Sequence, residues 1–216
     1  MLLKRVGIIG DVHAEAARLE AALHFFSAAQ VESILCVGDI VDGPGSVDRC
    51  CELLHQAQVA VVRGNHDRWF VLNTMRDLPQ ATQLDDISET SRSFIQSLPG
   101  TLSFDTVAGR LLLCHGVGDN DMQRLTPDEY GYALEFKDEL HALIRNREFA
   151  FMLGGHTHRR MVRRFDHMTV INAGTLYNGH SPCIAIADFD AGHVQFHDFR
   201  DEVPVNSGQS INLAGA

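Results

Sequence analysis

No apolar run in the 216-residue sequence approaches the roughly 20 residues that a membrane-spanning helix needs, so no such span is expected. No Pro/Gly/Ser-rich linker or shift of composition divides the chain. One domain over residues 1–200 is therefore expected, followed by a small polar tail, 201–216, that is expected to be loosely held. Basic residues are scarce: 18 Lys and Arg face 28 Asp and Glu, for a net charge of −10. That balance argues against a surface for a nucleic-acid polymer, which usually needs a basic stripe. Cysteine is sparse and odd in number, five residues without a CxxC pair or the spacing of a thiolate zinc site. Small buried hydrophobes in a reducing compartment are the expectation. Residues 1–5 run straight into a strand without the apolar stretch of a signal peptide, so a soluble, cytoplasmic protein without a membrane partner is expected. A GxSxG nucleophile elbow is also missing.

What is present is one pattern used five times: an apolar strand running through Gly or Cys into metal-ligand side chains. The most telling case is Val59-Ala60-Val61-Val62 followed by Arg63-Gly64-Asn65-His66-Asp67, where a carboxamide, an imidazole and a carboxylate stand in a row. The others deliver Asp11 and His13, Asp39 and Asp42, His115, and His156 and His158. Between the first three strands (5–9, 33–37, 59–62) lie two amphipathic stretches, 15–29 and 46–58. Ala16, Leu19, Ala22, Leu23 and Phe26 recur at helical spacing in the first, and Ser46 is the N-cap candidate of the second. Strand, helix, strand, helix, strand predicts a parallel sheet covered by helices, with ligands gathered at the carboxyl ends of its strands.

Residues 68–99 are expected to be mostly helical, with a polar loop over the site near 80–89. Thr126-Pro127-Asp128-Glu129 is expected to open a helix carrying Leu134, Leu140, Leu143 and Ile144. Short strands follow at 149–153, 161–165, 168–172, 183–188 and 193–199, and a second sheet packed on the first is the simplest home for the last four.

Asp11, His13, Asp39, Asn65, His115, His156 and His158 offer two carboxylates, one amide oxygen and four imidazoles. A mixed oxygen and nitrogen set suits Mn²⁺, Fe or Zn²⁺ better than Ca²⁺ or Mg²⁺. Seven ligands exceed what one ion with an open position takes, whereas two ions sharing a carboxylate account for them. Two divalent ions about 3.5–4 Å apart suit in-line displacement at phosphorus, with a metal-bound hydroxide as nucleophile.

On these residues the chain resembles the calcineurin-like metallophosphoesterase superfamily. The matching blocks are Gly10-Asp11-Val12-His13, Gly38-Asp39-Ile40-Val41-Asp42, Gly64-Asn65-His66-Asp67, His115-Gly116 and Gly155-His156-Thr157-His158. The resemblance implies an α/β fold of four layers, αββα, with two facing mixed sheets between helices. It implies that Asp11, His13 and His158 bind one ion, Asn65, His115 and His156 the second, and that Asp39 bridges. It implies that His66, oriented by Asp42, serves as proton donor, with Asp67 a lesser candidate for the orienting role. Two divalent ions are implied as cofactors, Mn²⁺ first, with Fe, Zn²⁺ or Ni²⁺ as alternatives. The activity implied is hydrolysis of a phosphomonoester or phosphodiester.

Ile171-Asn172-Ala173-Gly174-Thr175 resembles the Asn-Pro-Gly-Ser block of small bacterial phosphodiesterases, with Ala in place of Pro. Gly43 stands where Ser/Thr protein phosphatases carry a phosphate-clamping Arg, which counts against phosphoprotein phosphatase activity. Arg68, Arg160 and His180 are the candidates for substrate contact. A binding scaffold that kept the fold without the activity is the alternative, disfavoured by the presence of all seven ligands and His66.

Overall fold

Side-chain alternation along the strands decides the layering. The computed structural model of the chain describes residues 2–200 and 202–213. In its first strand, β1 (Arg5–Ile9), Val6 and Ile8 point into the core between two sheets while Ile9 points to an outer helical layer. Successive strand residues face opposite sides, so a strand buried on both faces reads as an unbroken apolar run. Leu111, Leu112 and Leu113 do the same in the other sheet: the outer two join the inter-sheet core and Leu112 joins a third cluster on the far face.

The first sheet has six strands. β1 pairs in parallel with β2 (Ser33–Cys36), and β2 with β3 (Ala60–Val61). On its other side β1 pairs antiparallel with β9 (Cys183–Asp188), which continues into β10 (His193–Arg200) and β11 (Val203–Asn212). The second sheet runs β4 (Leu102–Thr106), β5 (Gly109–Leu113), β6 (Phe151–Gly154), β8 (Met168–Asn172) and β7 (Met161–Phe165) in spatial order. Both sheets are mixed.

Helices α1 (Ala16–Ala28), α2 (Val47–Gln56) and α4 (Glu89–Ser97) cover the six-stranded sheet through Leu19, Phe26, Leu54 and Ile95. Leu140 of α6 (Asp138–Asn146) lies in the cluster outside the five-stranded sheet. The result is the expected α/β sandwich of two mixed sheets between helices. Burial of each such Leu, Ile or Phe contributes roughly 1.5–3 kcal/mol. Among the described residues no helix is long and apolar enough to cross a membrane. The five cysteines are all buried and unpaired.

Ser46 caps α2 as expected, its Oγ accepting from the Arg49 N–H at 3.2 Å. Elsewhere the structure departs from the sequence expectations. The helix expected to open at Thr126 does not: Glu129 turns back, its carboxylate accepting from the Thr126 N–H at 2.7 Å. Gly131, at φ +55°, breaks the chain before α5 (Tyr132–Glu135). Helix α3 (Asn65–Val71) begins inside the third motif block itself, and residues 72–83 are not helical because Asn73, Met75 and Gln80 all take left-handed φ. The late strands are split: β7 and β8 join the second sheet, whereas β9 and β10 return to the first. The tail expected to be loose forms β11, an edge strand held by ladder hydrogen bonds to β10 that need little apolar sequence. Asp201 and residues 214–216 lie outside the described residues.

Candidate metal centre

Five strand ends converge, from β1, β2, β3, β5 and β6. The loops after β1 and β2 are tied to each other by backbone: the N–H groups of Val12 and His13 reach the Asp39 carbonyl at 3.1 and 2.7 Å, and Ala14 N–H reaches Ile40 O at 2.9 Å. The block after β8 supports Asp11, whose carbonyl accepts from Thr175 Oγ1 at 2.8 Å. Asn172 in turn donates to Gly155 O at 2.8 Å and so braces the loop bearing His156 and His158. His13, Asp39, Asp42, His156 and His158 all take left-handed φ between +45° and +65°. Asp and His tolerate that region better than most residues, yet each such residue costs about 1–3 kcal/mol and persists only when neighbours over-determine it. Packing at this point is absolute: a Cβ on Gly43 would lie 1.8 Å from the His13 carbonyl oxygen.

The seven side chains fall into two clusters that meet at one carboxylate. In the first, His13 Nε2 lies 3.0 Å from His158 Nε2, and His158 Nε2 lies 4.0 Å from Asp11 Oδ1. In the second, the Asn65 amide oxygen faces His115 Nε2 at 2.9 Å and His156 Nδ1 at 2.8 Å. Asp39 Oδ2 lies between them, 3.8 Å from His13 Nε2 and 3.3 Å from His115 Nε2. The outer ring nitrogens are fixed by backbone: His13 Nδ1 faces the Asp42 carbonyl at 2.9 Å, and His115 Nδ1 the Val37 carbonyl at 2.8 Å. Such carbonyl partners set the tautomer and leave the inward Nε2 as the lone-pair donor for a metal. Asp11, Asp39, Asn65 and His115 are at most 1 % exposed.

The electrostatics follow from crowding. Burial pushes the Asp11 carboxyl up. Burial would push Asp39 up as well, but the His115 imidazole beside it and His13 hold it well below the usual carboxylate range. Against its own burial, His115 is carried up to about 10 by the Asp39 carboxylate. Burial, then the charge of His115, brings His156 down to about 4; burial, then His13 and His180, brings His158 down to about 3. Those two imidazoles are neutral near pH 7, as metal ligands must be, whereas His115 is charged there and would release its proton on holding a cation.

A cation fits this donor set. Asp11 Oδ2 is buried without any hydrogen-bond partner, and three groupings, Asp11/His13/His158, His13/Asp39/His66 and Asp11/Asp39/His115, hold their ligand atoms within 4.8 Å of one another. A buried anionic oxygen left orphaned needs a partner, and divalent ions supply it.

His66, at the first turn of α3, turns its Nδ1 to Asp42 Oδ2 at 2.7 Å and packs at a 59° tilt against Trp69, ring centres 4.8 Å apart. Burial opposes its charge, but the Asp42 hydrogen bond together with Asp39 raises it above the ordinary 6.5. Asp67 lies outside that pairing. Its two oxygens accept from the N–H groups of Ile40, Val41 and Gly64 at 2.8, 3.3 and 3.0 Å, so it welds two motif loops together rather than orienting His66.

The candidates for substrate contact are engaged otherwise. Arg68 pairs with Asp121 through two hydrogen bonds of 2.5 and 2.9 Å, Arg160 with Asp198, and the exposed His180 stands behind His158 with Nδ1 atoms 3.0 Å apart. Sequence reasoning missed three residues at the rim. Arg76 and Thr82 hold Asp42, and Tyr177 lays its ring 5.7 Å from that of His13. None belongs to a motif, and only their place in space marks them.

Two mixed sheets, outer helices and paired Asp/His/Asn clusters at the strand ends define a metallophosphoesterase fold with a potential dinuclear metal site. The Calcineurin-like phosphoesterase superfamily domain matches residues 5–192, and the chain belongs to that superfamily. Among solved structures, the metallophosphoesterase of Sphaerobacter thermophilus is similar at 24% identity and TM-score 0.68, covering 92% of this chain and 89% of that one. A hypothetical protein of Pyrococcus horikoshii OT3 has TM-score 0.72 at 16% identity, covering 94% and 89%. An uncharacterized protein of Methanocaldococcus jannaschii is 31% identical over 67 residues, 31% of this chain and 28% of that protein. That last match thus spans little over a quarter of the relative's length.

Proposed function

We propose that the protein is a dinuclear metal-dependent phosphoesterase acting on small phosphomonoesters or phosphodiesters. The observation that carries this is the position of Asp39, whose Oδ2 faces both donor clusters, with His13 Nε2 at 3.8 Å and His115 Nε2 at 3.3 Å. In this reading Asp11, His13 and His158 hold one ion, Asn65, His115 and His156 the other, and Asp39 bridges. When bound, a divalent pair supplies Lewis acidity, neutralising phosphoryl oxygens and bringing the pKa of water to about 7. Mn²⁺ is the first choice of metal, with Fe, Zn²⁺ or Ni²⁺ as alternatives.

His66 carries a proton on Nε2 while Asp42 holds its Nδ1–H. As the water oxygen, its proton shed to solvent, bonds to phosphorus, the leaving oxygen departs with the electron pair of the broken bond and takes the His66 proton. The imidazole is left neutral, Asp42 stays a carboxylate, and solvent restores the proton. Such an acid is worth about 10²–10⁴-fold. The Gly43 cradle, closed by the His13 carbonyl at 1.8 Å from a virtual Cβ, has no room for a clamping arginine, which favours small esters over phosphoproteins.

Protein loaded with Mn²⁺ is expected to hydrolyse an activated aryl phosphomonoester or bis-aryl phosphodiester. Protein carrying two ions per chain yet inert on both would overturn the reading in favour of a scaffold. A cytoplasmic location belongs to the same proposal, supported by the five unpaired buried cysteines. Cell fractionation tests it.

A further inference from the structure

We propose that Arg76 is a positioning residue for His66, acting through Asp42. The inference rests on the reading of His66 as the proton donor, and deepens it by naming what holds that donor in place. Asp42 uses each carboxylate oxygen twice. Oδ2 meets His66 Nδ1 at 2.7 Å and accepts from Arg76 Nη2 at 2.9 Å; Oδ1 accepts from Arg76 Nη1 at 2.8 Å and from the Thr82 N–H at 2.9 Å. The Asp42 N–H donates back to Thr82 Oγ1 at 3.0 Å. This is a fork-to-fork arginine–carboxylate pair, the geometry that fixes a carboxylate plane most firmly.

The guanidinium is itself held. Its side chain is 10 % exposed, Nε donates to Thr74 O at 2.8 Å, and Nη1 also donates to Thr82 O at 2.9 Å. Four of its five N–H donors are thus committed to Asp42 and to its own segment. Arg76 meets Asp42 across 34 residues of sequence and brings the segment 72–83 against the loop after β2.

Two physical effects follow. An aspartate held only by an imidazole and the single Thr82 N–H keeps freedom about its terminal torsion, and the imidazole turns with it; the fork removes that freedom. A buried carboxylate facing one histidine also carries an unbalanced charge, which the guanidinium offsets. A misplacement of about 1 Å in a catalytic group costs about a hundredfold, so the fork is worth a measurable part of that. A strap that merely held residues 72–83 in place would affect stability and substrate entry instead.

The test compares Arg76→Ala and Arg76→Lys with wild type and His66→Gln in the full chain. Steady-state turnover of a bis-aryl phosphodiester with Mn²⁺, metal stoichiometry and Tm are measured for each. Arg76→Ala is expected to lower kcat by about tenfold or more with KM within about twofold and the ion count unchanged. Guanidinium at sub-denaturing concentration is expected to restore part of its kcat, but none in His66→Gln. Arg76→Lys, charged but unable to fork, is expected to fall between.

A second readout needs no turnover. In Zn²⁺-loaded protein the His66 Nδ1–H proton, held on a carboxylate, is expected as a downfield NMR resonance identified by its loss in His66→Gln. It is expected to broaden by exchange in Arg76→Ala. The proposal is overturned by an unchanged resonance in Arg76→Ala, by kcat within about twofold of wild type, or by a loss that tracks metal content or Tm. Wild type without turnover on any phosphoester overturns the proton-donor reading instead, and the resonance still decides whether Arg76 positions His66.

Discussion

The motif loops at the ends of β1, β2 and β3 and the connecting segments 72–83 and 117–137 are built on opposite terms. Asp11, Val12, Asp39, Ile40 and Asn65 are essentially buried, and their backbone groups are shared between loops. In the connecting segments Tyr132 and Phe136 are 79 % and 80 % exposed. Those segments are held by isolated anchors such as Arg76 on Asp42 and Arg163, whose Nη1 donates to the Glu129 carbonyl at 2.6 Å. The motif loops constrain one another so fully that substitution there has nowhere to go. The connecting segments can change at their many exposed positions, but not at their anchors or at the buried Thr82, Val117 and Leu125.

The comparison breaks most visibly at His66. His66→Gln is expected to lower kcat by about 10²–10⁴-fold while elemental analysis still finds two ions, because the residue lies in the motif without holding metal in the proposed scheme. Loss of metal together with turnover would merge His66 with the ligand set. Next is Asp39→Asn, which weakens the shared ligand. Added Mn²⁺ at about a hundred times its Kd is expected to stabilise wild type by about 2.7 kcal/mol, and a chelator to remove that gain. In Asp39→Asn both the two-ion stoichiometry and the Tm response to Mn²⁺ are expected to fall, and a retained stoichiometry of two would refute the bridge.

Gly43→Ala puts a methyl group against the His13 carbonyl, so thermal unfolding is expected to show a loss of about 2–3 kcal/mol, roughly 5–10 °C in Tm. A Tm within a degree of wild type would show that the motif loops yield more than their packing indicates.

A smaller effect comes from the outer face of the six-stranded sheet. His197 of β10 is 7 % exposed, 4.6 Å from the Phe25 ring, with neither nitrogen hydrogen-bonded, and burial depresses its pKa below the ordinary 6.5. A depressed histidine stays neutral in the fold while the unfolded chain takes up a proton. Its contribution is therefore present in full above pH 6.5 and is lost as pH falls from 6.5 toward the folded value. Tm is expected to drop between pH 7 and 5, and His197→Phe to flatten that slope; an equal slope in the variant would assign it to other groups. The smallest effect is expected for Phe136→Ser in the connecting segment, within about 0.5 kcal/mol by urea denaturation.

The same contrast explains which features were legible in advance. Asp11, His13, Asp39, Asn65, His115, His156 and His158 stood out because each follows an apolar strand at short, repeated spacing, and the structure brings all seven together. The Asp42–His66 pairing was likewise expected. Arg76 and Tyr177 carried no such signal, since an arginine or tyrosine in a polar segment looks the same whether it meets solvent or a buried carboxylate. The helix expected at Thr126 failed because local capping chemistry lost to the Glu129 turn and the left-handed Gly131. Strand β11 went unrecognised because an edge strand draws on its neighbour's hydrogen bonds rather than on its own apolar residues.

By itself the sequence determined the layered α/β class, the strands of β1, β7, β8 and β9 to the residue, and the set of donors at the strand ends. These depend on side-chain periodicity and on residue types that buried strands do not otherwise tolerate. Only the tertiary structure decided which sheet each late strand joins, that Asp39 faces both clusters, that Asp67 ties loops instead of orienting His66, and that Arg76 grips Asp42. Those are matters of distance between segments remote in the chain, fixed by the packing of whole sheets and not by any local pattern.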